Sequence, residues 1–253
     1  MSDAATRVDL HVKVLDERVV ERAREAGVDV LVYAPHFTRL PRIRARAERY
    51  STDEVTVVPA REVFTGDWRN RRHLLGIGLS DPIPDFITYE AALAEFERQD
   101  AAILVPHPEF LNVSLTRAEV SAYRDRIHAV ETYNAKLFDP QNSRGRRISE
   151  LFDTPGFGSS YAHLRGTIGA AWTEFERDVR GEDGLVDALR DRVDRTVVKQ
   201  TDPATTARRL VEFAHLGFEN SYGKLDRLFL SGMEPTNPRH IAYSGRFDDV
   251  AVY

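Results

Sequence analysis

Histidine and glutamate residues recur at the ends of strand-like segments in the first two thirds of the chain. Several follow apolar runs such as VLVYAPH and AILVPH, and one opens the run HLLGIGL. A β/α barrel or open α/β sheet gathers the carboxyl ends of its strands around one pocket, so we expect these side chains to converge. Because imidazole and carboxylate groups bind zinc, manganese and iron, the pattern predicts a metal centre. The residues concerned are His11, His36, Glu62, His73, His107 and His163.

The composition limits which classes of protein, metal site and partner agree with the chain. A chain of 253 residues with 42% hydrophobic residues can bury a sizeable core. It has no cysteine, so a metal centre must use histidine and carboxylate ligands. The net charge of -5 makes nucleic acid an unfavourable partner. Neither a signal-peptide pattern nor a membrane-spanning apolar run is found, so we expect a cytoplasmic protein without a membrane partner.

Strand-like and helix-like runs alternate over roughly the first 175 residues, as in βα units around a mainly parallel sheet of about seven strands. Residues 16–26 read as a helix that ends at Gly27. Thr116 and Glu119 form a capping box that opens a helix over 116–126. Beyond Pro203, residues 203–231 show a long helical pattern whose apolar stripe is typical of core or subunit contacts.

Seven short motifs resemble, in order and spacing, those of the PHP (polymerase and histidinol phosphatase) superfamily. The resemblance implies an α/β fold, namely a distorted (β/α)7 TIM-like barrel over residues 1–200. A C-terminal helical arm over 201–253 would pack on the barrel or on a partner subunit. The motifs are VDLHVK at 8–13, YAPH at 33–36, VVPARE at 57–62, HLLGIG at 73–78, LVPHP at 104–108, VETYN at 130–134 and SYAH at 160–163.

The resemblance also implies three sets of metal ligands, of which one is broken. His11 matches the first histidine of the family's H-x-H motif, but Lys13 replaces the second, and Tyr161 stands where an aspartate is expected. Both replacements affect the metal that would also use Glu62. We therefore expect two divalent ions, of manganese, zinc or iron. The sets for these two ions are Glu62, His73 and His107, and Asp16, His36 and His163.

The replaced positions lead to a specific hypothesis for the site. A protonated lysine has no lone pair, so we expect Lys13 to pair with Glu62 in place of the missing ion. Tyr161 would donate its hydroxyl to a ligand or to a substrate phosphate. Arg61 and Arg165 are candidates for binding that phosphate, because guanidinium groups match its geometry. Asn134 ends its strand in the site region and is a further candidate substrate contact.

Three functions stay open at this point. The preferred one is a metal-dependent phosphoesterase that hydrolyses a small phosphorylated molecule with metal-activated water. The second is a catalytically impaired PHP barrel that binds a ligand or partner, which the two replacements at Lys13 and Tyr161 favour. A nuclease or polymerase-associated proofreading module ranks lowest because the chain is acidic. A homo-oligomer formed through the C-terminal arm is compatible with each.

Overall fold

The computed structural model describes residues 5–67, 70–110, 113–201, 203–225 and 236–252. These residues form one sheet curled into a nearly closed barrel with helices packed around it, which confirms the predicted α/β barrel class. The strands are β1 (Thr6–Val12), β2 (Val30–Tyr33), β3 (Thr56–Thr65), β4 (Arg72–Ile77), β5 (Ala102–Val105), β6 (Ala129–Asn134), β7 (Gly156–Ser159), β8 (Ala171–Phe175) and β9 (Arg195–Lys199). The α-helices are α1 (Glu17–Ala26), α2 (Leu40–Tyr50), α3 (Tyr89–Arg98), α4 (Arg117–Ala122), α5 (Asp139–Phe152), α6 (Glu182–Arg190) and α7 (Pro203–Leu225).

Strand direction differs from the mainly parallel sheet that the sequence predicts. The strand order is β7-β6-β5-β4-β3-β2-β1-β8-β9. Two parallel groups, β1-β2-β3 and β5-β6-β7, flank β4, which is antiparallel to both of its neighbours. The connection from β3 to β4 is too short for a crossover helix, so the chain turns back as a hairpin. β8 and β9 are also antiparallel and bring the described strands to nine.

The barrel nearly closes where β7 approaches β1 and β8. Ala162 forms an isolated parallel bridge with Val12 at the end of β1. The Ser160 amide donates to Asp9 Oδ1 at 2.9 Å, and the Gly158 amide donates to the Thr173 hydroxyl at 2.9 Å. These bonds bring the segment after β7 beside His11 of β1. The first and last motifs of the sequence therefore meet at one edge of the barrel mouth.

Local sequence signals explain where several helices begin and end. Asp16 caps α1 by accepting from the Val19 amide, and Gly27 ends that helix in the left-handed conformation with φ 71°. The predicted capping box of α4 is present, with Thr116 and Glu119 bonded reciprocally. α4 is shorter than predicted, since it ends at Ala122.

The barrel interior and α6 form one apolar cluster. Val8, Val30 and Val58 of the strands belong to it, together with Leu185 and Leu189 of α6. Side chains alternate along a strand, so Val58, Ala60 and Glu62 of β3 share the inner face, with Glu62 farther toward the carboxyl end of the strand. α6 thus closes one end, and the polar residues of the predicted metal centre occupy the other.

The described part of the chain after the barrel comprises α7 and, over residues 236–252, a segment of short turns. Residues 236–252 pack against the segment before α3, where Ala251 pairs with Ile87 and the buried Tyr243 and Phe247 join the outer core. Leu228 and Phe229, which belong to the predicted helical arm, lie outside the described residues. Among those described, no helix combines the length and apolar character that crossing a bilayer requires.

Candidate metal centre

Glu62 lies at the centre of the basic side chains around the barrel mouth. It shares the inner face of β3 with Val58 and Ala60, and its side chain is fully buried. Five groups surround its carboxylate. Oε2 is 2.5 Å from Lys13 Nζ and 2.7 Å from His36 Nε2, and Oε1 is 3.1 Å from His107 Nε2, 3.3 Å from His73 Nδ1 and 3.7 Å from His11 Nε2.

The charges around Glu62 determine the protonation states of the cluster. Burial alone would raise the pKa of Glu62, but the Lys13 ammonium and the neighbouring imidazoles hold that pKa well below its usual value. Burial and the Lys13 charge lower the pKa of His11 well below its usual value and that of His36 to about 3. Burial also lowers the pKa of His73. An anionic Glu62 and neutral imidazoles are the protonation states that a metal ion requires of its ligands.

Three of these side chains form a set with the geometry of a metal site. Single donor atoms of Glu62, His73 and His107 all lie within 4.8 Å of one another, and all three residues are buried. His73 Nε2 is buried and has no hydrogen-bond partner among the described residues. A buried imidazole nitrogen without such a partner costs free energy that a metal bond would recover. The residues therefore fit a divalent ion, with three protein ligands as in catalytic zinc sites.

His107 is held in place by side chains outside the predicted ligand set. Its backbone φ of 32° lies in the left-handed region, which a residue with a side chain adopts only at a cost. Glu131 compensates by accepting from the His107 amide at 2.7 Å. Ser114 Oγ is 2.7 Å from His107 Nδ1, so Nε2 is left to face Glu62. The Ser114 contact thereby fixes the orientation of the His107 ring, as the second hydrogen-bond partner of a metal-binding histidine usually does.

Tyr161 and His163 lie at the edge of the cluster. The Tyr161 ring centroid is 4.7 Å from that of His11, 5.3 Å from that of His107 and 4.7 Å from that of His163. Lys13 Nζ lies 5.6 Å from the same ring. Tyr161 also has a positive φ, of 48°. The tyrosine ring therefore fills space between the histidines where the family resemblance expects an aspartate.

Asp16 is engaged away from the histidines with which the resemblance groups it. Its Oδ1 caps α1, and its Oδ2 is 2.6 Å from a guanidinium nitrogen of Arg165. Within the described residues, Asp16, His36 and His163 do not form a set of close donor atoms. The Arg165 side chain is half exposed at the rim of the site. Its role in substrate binding and the second metal set both stay predictions.

Arg61 and Asn134, the two candidate substrate contacts from the sequence, are buried in contacts within the protein. Arg61 lies on the outer face of β3. Its side chain is fully buried and pairs with Asp85 at 2.9 Å. Asn134 is also fully buried: its amide donates to Glu131 and its Oδ1 accepts from the Lys136 amide. Both side chains make contacts within the protein, and their assignment as substrate-binding residues stays a prediction.

A family model described as PHP-associated matches residues 139–193, which run from the start of α5 past the end of α6. The same chain contains the seven ordered motifs, and its barrel brings five of the expected ligand residues together. Residues 139–193 resemble a PHP-associated family. Lys13 contacts Oε2 of the Glu62 carboxylate, whereas His73 and His107 face Oε1.

Several known proteins are similar to this chain. An uncharacterized protein of Methanocaldococcus jannaschii is 28% identical over 137 residues, which are 51% of this chain and about half (55%) of that protein's length. PsfC from Pseudomonas syringae has a similar structure, with a TM-score of 0.64 and 16% identity over 84% of this chain and 99% of that chain. A two-domain protein from Bacteroides vulgatus, containing a predicted PHP-like metal-dependent phosphoesterase, has a TM-score of 0.58 and 17% identity over 83% of this chain and 70% of that chain.

The sequence did not point to three polar residues near the barrel mouth. Glu131 lies within the quoted motif VETYN, so its position at the strand end was a usable signal. Lys136, two residues after β6, is buried with its Nζ 5.2 Å from the Tyr161 ring. Glu212 of α7 is fully buried near His163. No periodicity marks Glu212, because a single glutamate in a helical pattern reads as a solvent-facing residue.

Proposed function

We propose that the protein is a metal-dependent phosphoesterase that hydrolyses a small phosphorylated molecule. The observation that carries this proposal is the buried set of Glu62, His73 and His107, whose donor atoms converge within 4.8 Å. A bound divalent ion would supply Lewis-acid chemistry, polarising a phosphate oxygen and acidifying a coordinated water. The burial of these three side chains favours a small substrate or a terminal phosphate group.

The proposal includes one ion in this set. Manganese, zinc and iron all accept imidazole and carboxylate ligands, so the donor set leaves the choice among them open. The second ion expected from the resemblance would need Asp16, which now caps α1 and pairs with Arg165. Elemental analysis of protein loaded with manganese or zinc should give about one ion per chain. Two ions would show that Asp16 exchanges Arg165 for a metal.

We propose that the Lys13 ammonium takes the place of a metal ion beside Glu62 and does not itself bind a metal. Its ammonium donates to Glu62 Oε2 and, at 2.6 Å, to the Ala34 carbonyl, so its position is fixed on two sides. From there it neutralises the part of the Glu62 carboxylate that faces away from His73 and His107. Because the charges of Lys13 and Glu62 cancel, a bound divalent ion would leave the site net positive and so attract a phosphate. Tyr161, beside Lys13, would donate its hydroxyl to that phosphate.

The decisive assay is hydrolysis of a generic aryl phosphate with added manganese. Wild-type protein should be active, and Glu62→Ala should lose activity by at least about a hundredfold because both the ion and Lys13 lose their anionic partner. Glu150→Ala, on the exposed surface of α5, serves as the matched control and should keep the wild-type rate. Equal rates for wild type and Glu62→Ala would overturn the phosphoesterase.

A catalytically impaired barrel that binds a ligand is the second candidate. The short contact between Lys13 and Glu62 favours it, since it occupies an oxygen that a bridging ligand would use. Under this alternative, manganese or zinc binds with measurable heat and Glu62→Ala abolishes that heat, but no phosphate ester is hydrolysed. Calorimetry beside the aryl phosphate assay therefore separates the two candidates.

A further inference from the structure

The C-terminal helix α7 carries a buried carboxylate into the barrel mouth. Glu212 is fully buried, although it lies 49 residues after His163 in the sequence. It accepts hydrogen bonds from the His163 amide at 2.6 Å, from the Leu164 amide at 3.1 Å and from the Thr167 hydroxyl at 2.9 Å. The carboxylate of Glu212 thus binds three successive parts of the loop that follows the last motif.

Burying a charged side chain needs compensation, and the surroundings of Glu212 provide it. A buried carboxylate is unfavourable unless hydrogen bonds and an opposite charge replace its water. Besides the three donors, Lys136 Nζ lies 3.7 Å from Glu212 Oε1. One turn earlier in α7, Arg209 donates to the carbonyls of Ala135 and Leu137. The helix is therefore fastened by polar contacts to the loops after both β6 and β7.

The loop held by Glu212 carries two side chains of the site. The His163 ring lies 4.7 Å from that of Tyr161 and 5.6 Å from that of His36, which contacts Glu62. Tyr161 itself has a positive φ, so its conformation depends on the contacts that hold the surrounding chain. Glu131 plays the corresponding part for His107, because it accepts from that residue's amide.

We propose that Glu212 is a positioning residue of the active site. In this proposal α7 holds the loops that form the barrel mouth and is not merely an appended arm. Glu212 holds the loop of Tyr161 and His163 against the side of the site where Lys13 replaces a ligand. The inference rests on the phosphoesterase function proposed above. It assigns Glu212 no contact with the metal or the substrate, so its loss should leave the ion of Glu62, His73 and His107 in place.

Hydrogen exchange and histidine resonances test this role without any substrate. In Glu212→Ala, the amides of His163 and Leu164 should exchange on the order of tenfold faster or more, because each loses a bond to a charged acceptor. The imidazole resonances of His163 should shift, while those of His128, which accepts from the Ile103 amide elsewhere in the barrel, should not. Val211→Ala, an exposed neighbour on α7, is the matched control.

Kinetics then separate positioning from general support of the fold. With aryl phosphate and manganese, Glu212→Ala should lower kcat by about 10- to 100-fold, with a metal content equal to that of wild type. Glu212→Gln keeps the size and one acceptor oxygen, so it should recover part of kcat and serves if the alanine variant fails to fold. Unchanged exchange, or a Glu212→Gln variant indistinguishable from Val211→Ala, would overturn the positioning role. If the wild-type protein is inactive but Glu212→Ala still shows the exchange and resonance changes, the phosphoesterase function is overturned and the positioning role of Glu212 stands.

Discussion

At the scale of single residues, Lys13 and Tyr161 distinguish this site from the pattern that it resembles. The Lys13 ammonium contacts Glu62 where the resemblance expects a histidine ligand, and Tyr161 occupies the expected aspartate position. The double variant Lys13→His with Tyr161→Asp should regain a ligand set of two histidines, a glutamate and an aspartate. We expect about one more ion per chain by elemental analysis.

The single variants serve as controls for this restoration. Lys13→His alone supplies one of the two missing ligands, and Tyr161→Asp alone leaves the Lys13 charge beside the new carboxylate. Each should keep the wild-type metal content, because an incomplete set binds weakly. A double variant with unchanged metal content, yet a normal circular dichroism spectrum, would show that the surrounding barrel no longer accommodates that ion.

Arg61 forms a buried ion pair that should stabilise the fold. It precedes Glu62, yet it points to the outer face of β3 and pairs with Asp85, which also accepts from the Phe64 amide. Asp85→Ala should lower the free energy of unfolding by about 3–5 kcal/mol, because it leaves a buried guanidinium unpaired. Denaturant titration measures this loss. The double variant Arg61→Met with Asp85→Leu removes both charges, so a loss as large as that of Asp85→Ala would contradict the explanation.

At the scale of elements, Gly145 determines how closely α5 approaches β6. A Cβ at this position would lie 2.1 Å from the Glu131 carbonyl oxygen, so the helix would have to move away from the strand that bears Glu131. Gly145→Ala should therefore destabilise the protein by about 1–3 kcal/mol, although alanine is the better helix former. Gly184→Ala in α6 meets nothing closer than 3.8 Å and should stabilise by about 0.5–1 kcal/mol. Denaturant titration of both variants tests the contrast, and shifts of equal sign would contradict it.

The elements also show what the sequence could predict and what it could not. The stop at Gly27 and the capping box at Thr116 depend on neighbouring residues, so local patterns identified them. The direction of β4 depends on which strands it meets, which no local pattern encodes. The same limit applies at the site. Apolar runs that end in histidine predicted convergence around Glu62, whereas Glu212 reaches its partners only through the packing of a distant helix.

At the scale of the whole molecule, the site affects the stability of the fold. The mouth buries Glu62 of β3 among five basic or imidazole groups, which come from β1, from β4 and from the segments just after β1, β2 and β5. The barrel holds these donors in place only when it is folded, because they are far apart in sequence. An ion that binds the folded chain but not the unfolded one must raise the free energy of unfolding.

Metal-linked stabilisation is the corresponding prediction for the intact protein. At an ion concentration of about 100 times the dissociation constant, the gain is about 2.7 kcal/mol, and each kcal/mol corresponds to about 2–4 °C in Tm for a chain of this size. Zinc or manganese added to chelator-treated protein should therefore raise Tm by several degrees. His73→Ala removes one ligand and should abolish most of the rise, while His128→Ala, outside the site, should preserve it because the ligand set is intact. Equal rises in both variants would mean that the stabilising ion binds somewhere other than Glu62, His73 and His107.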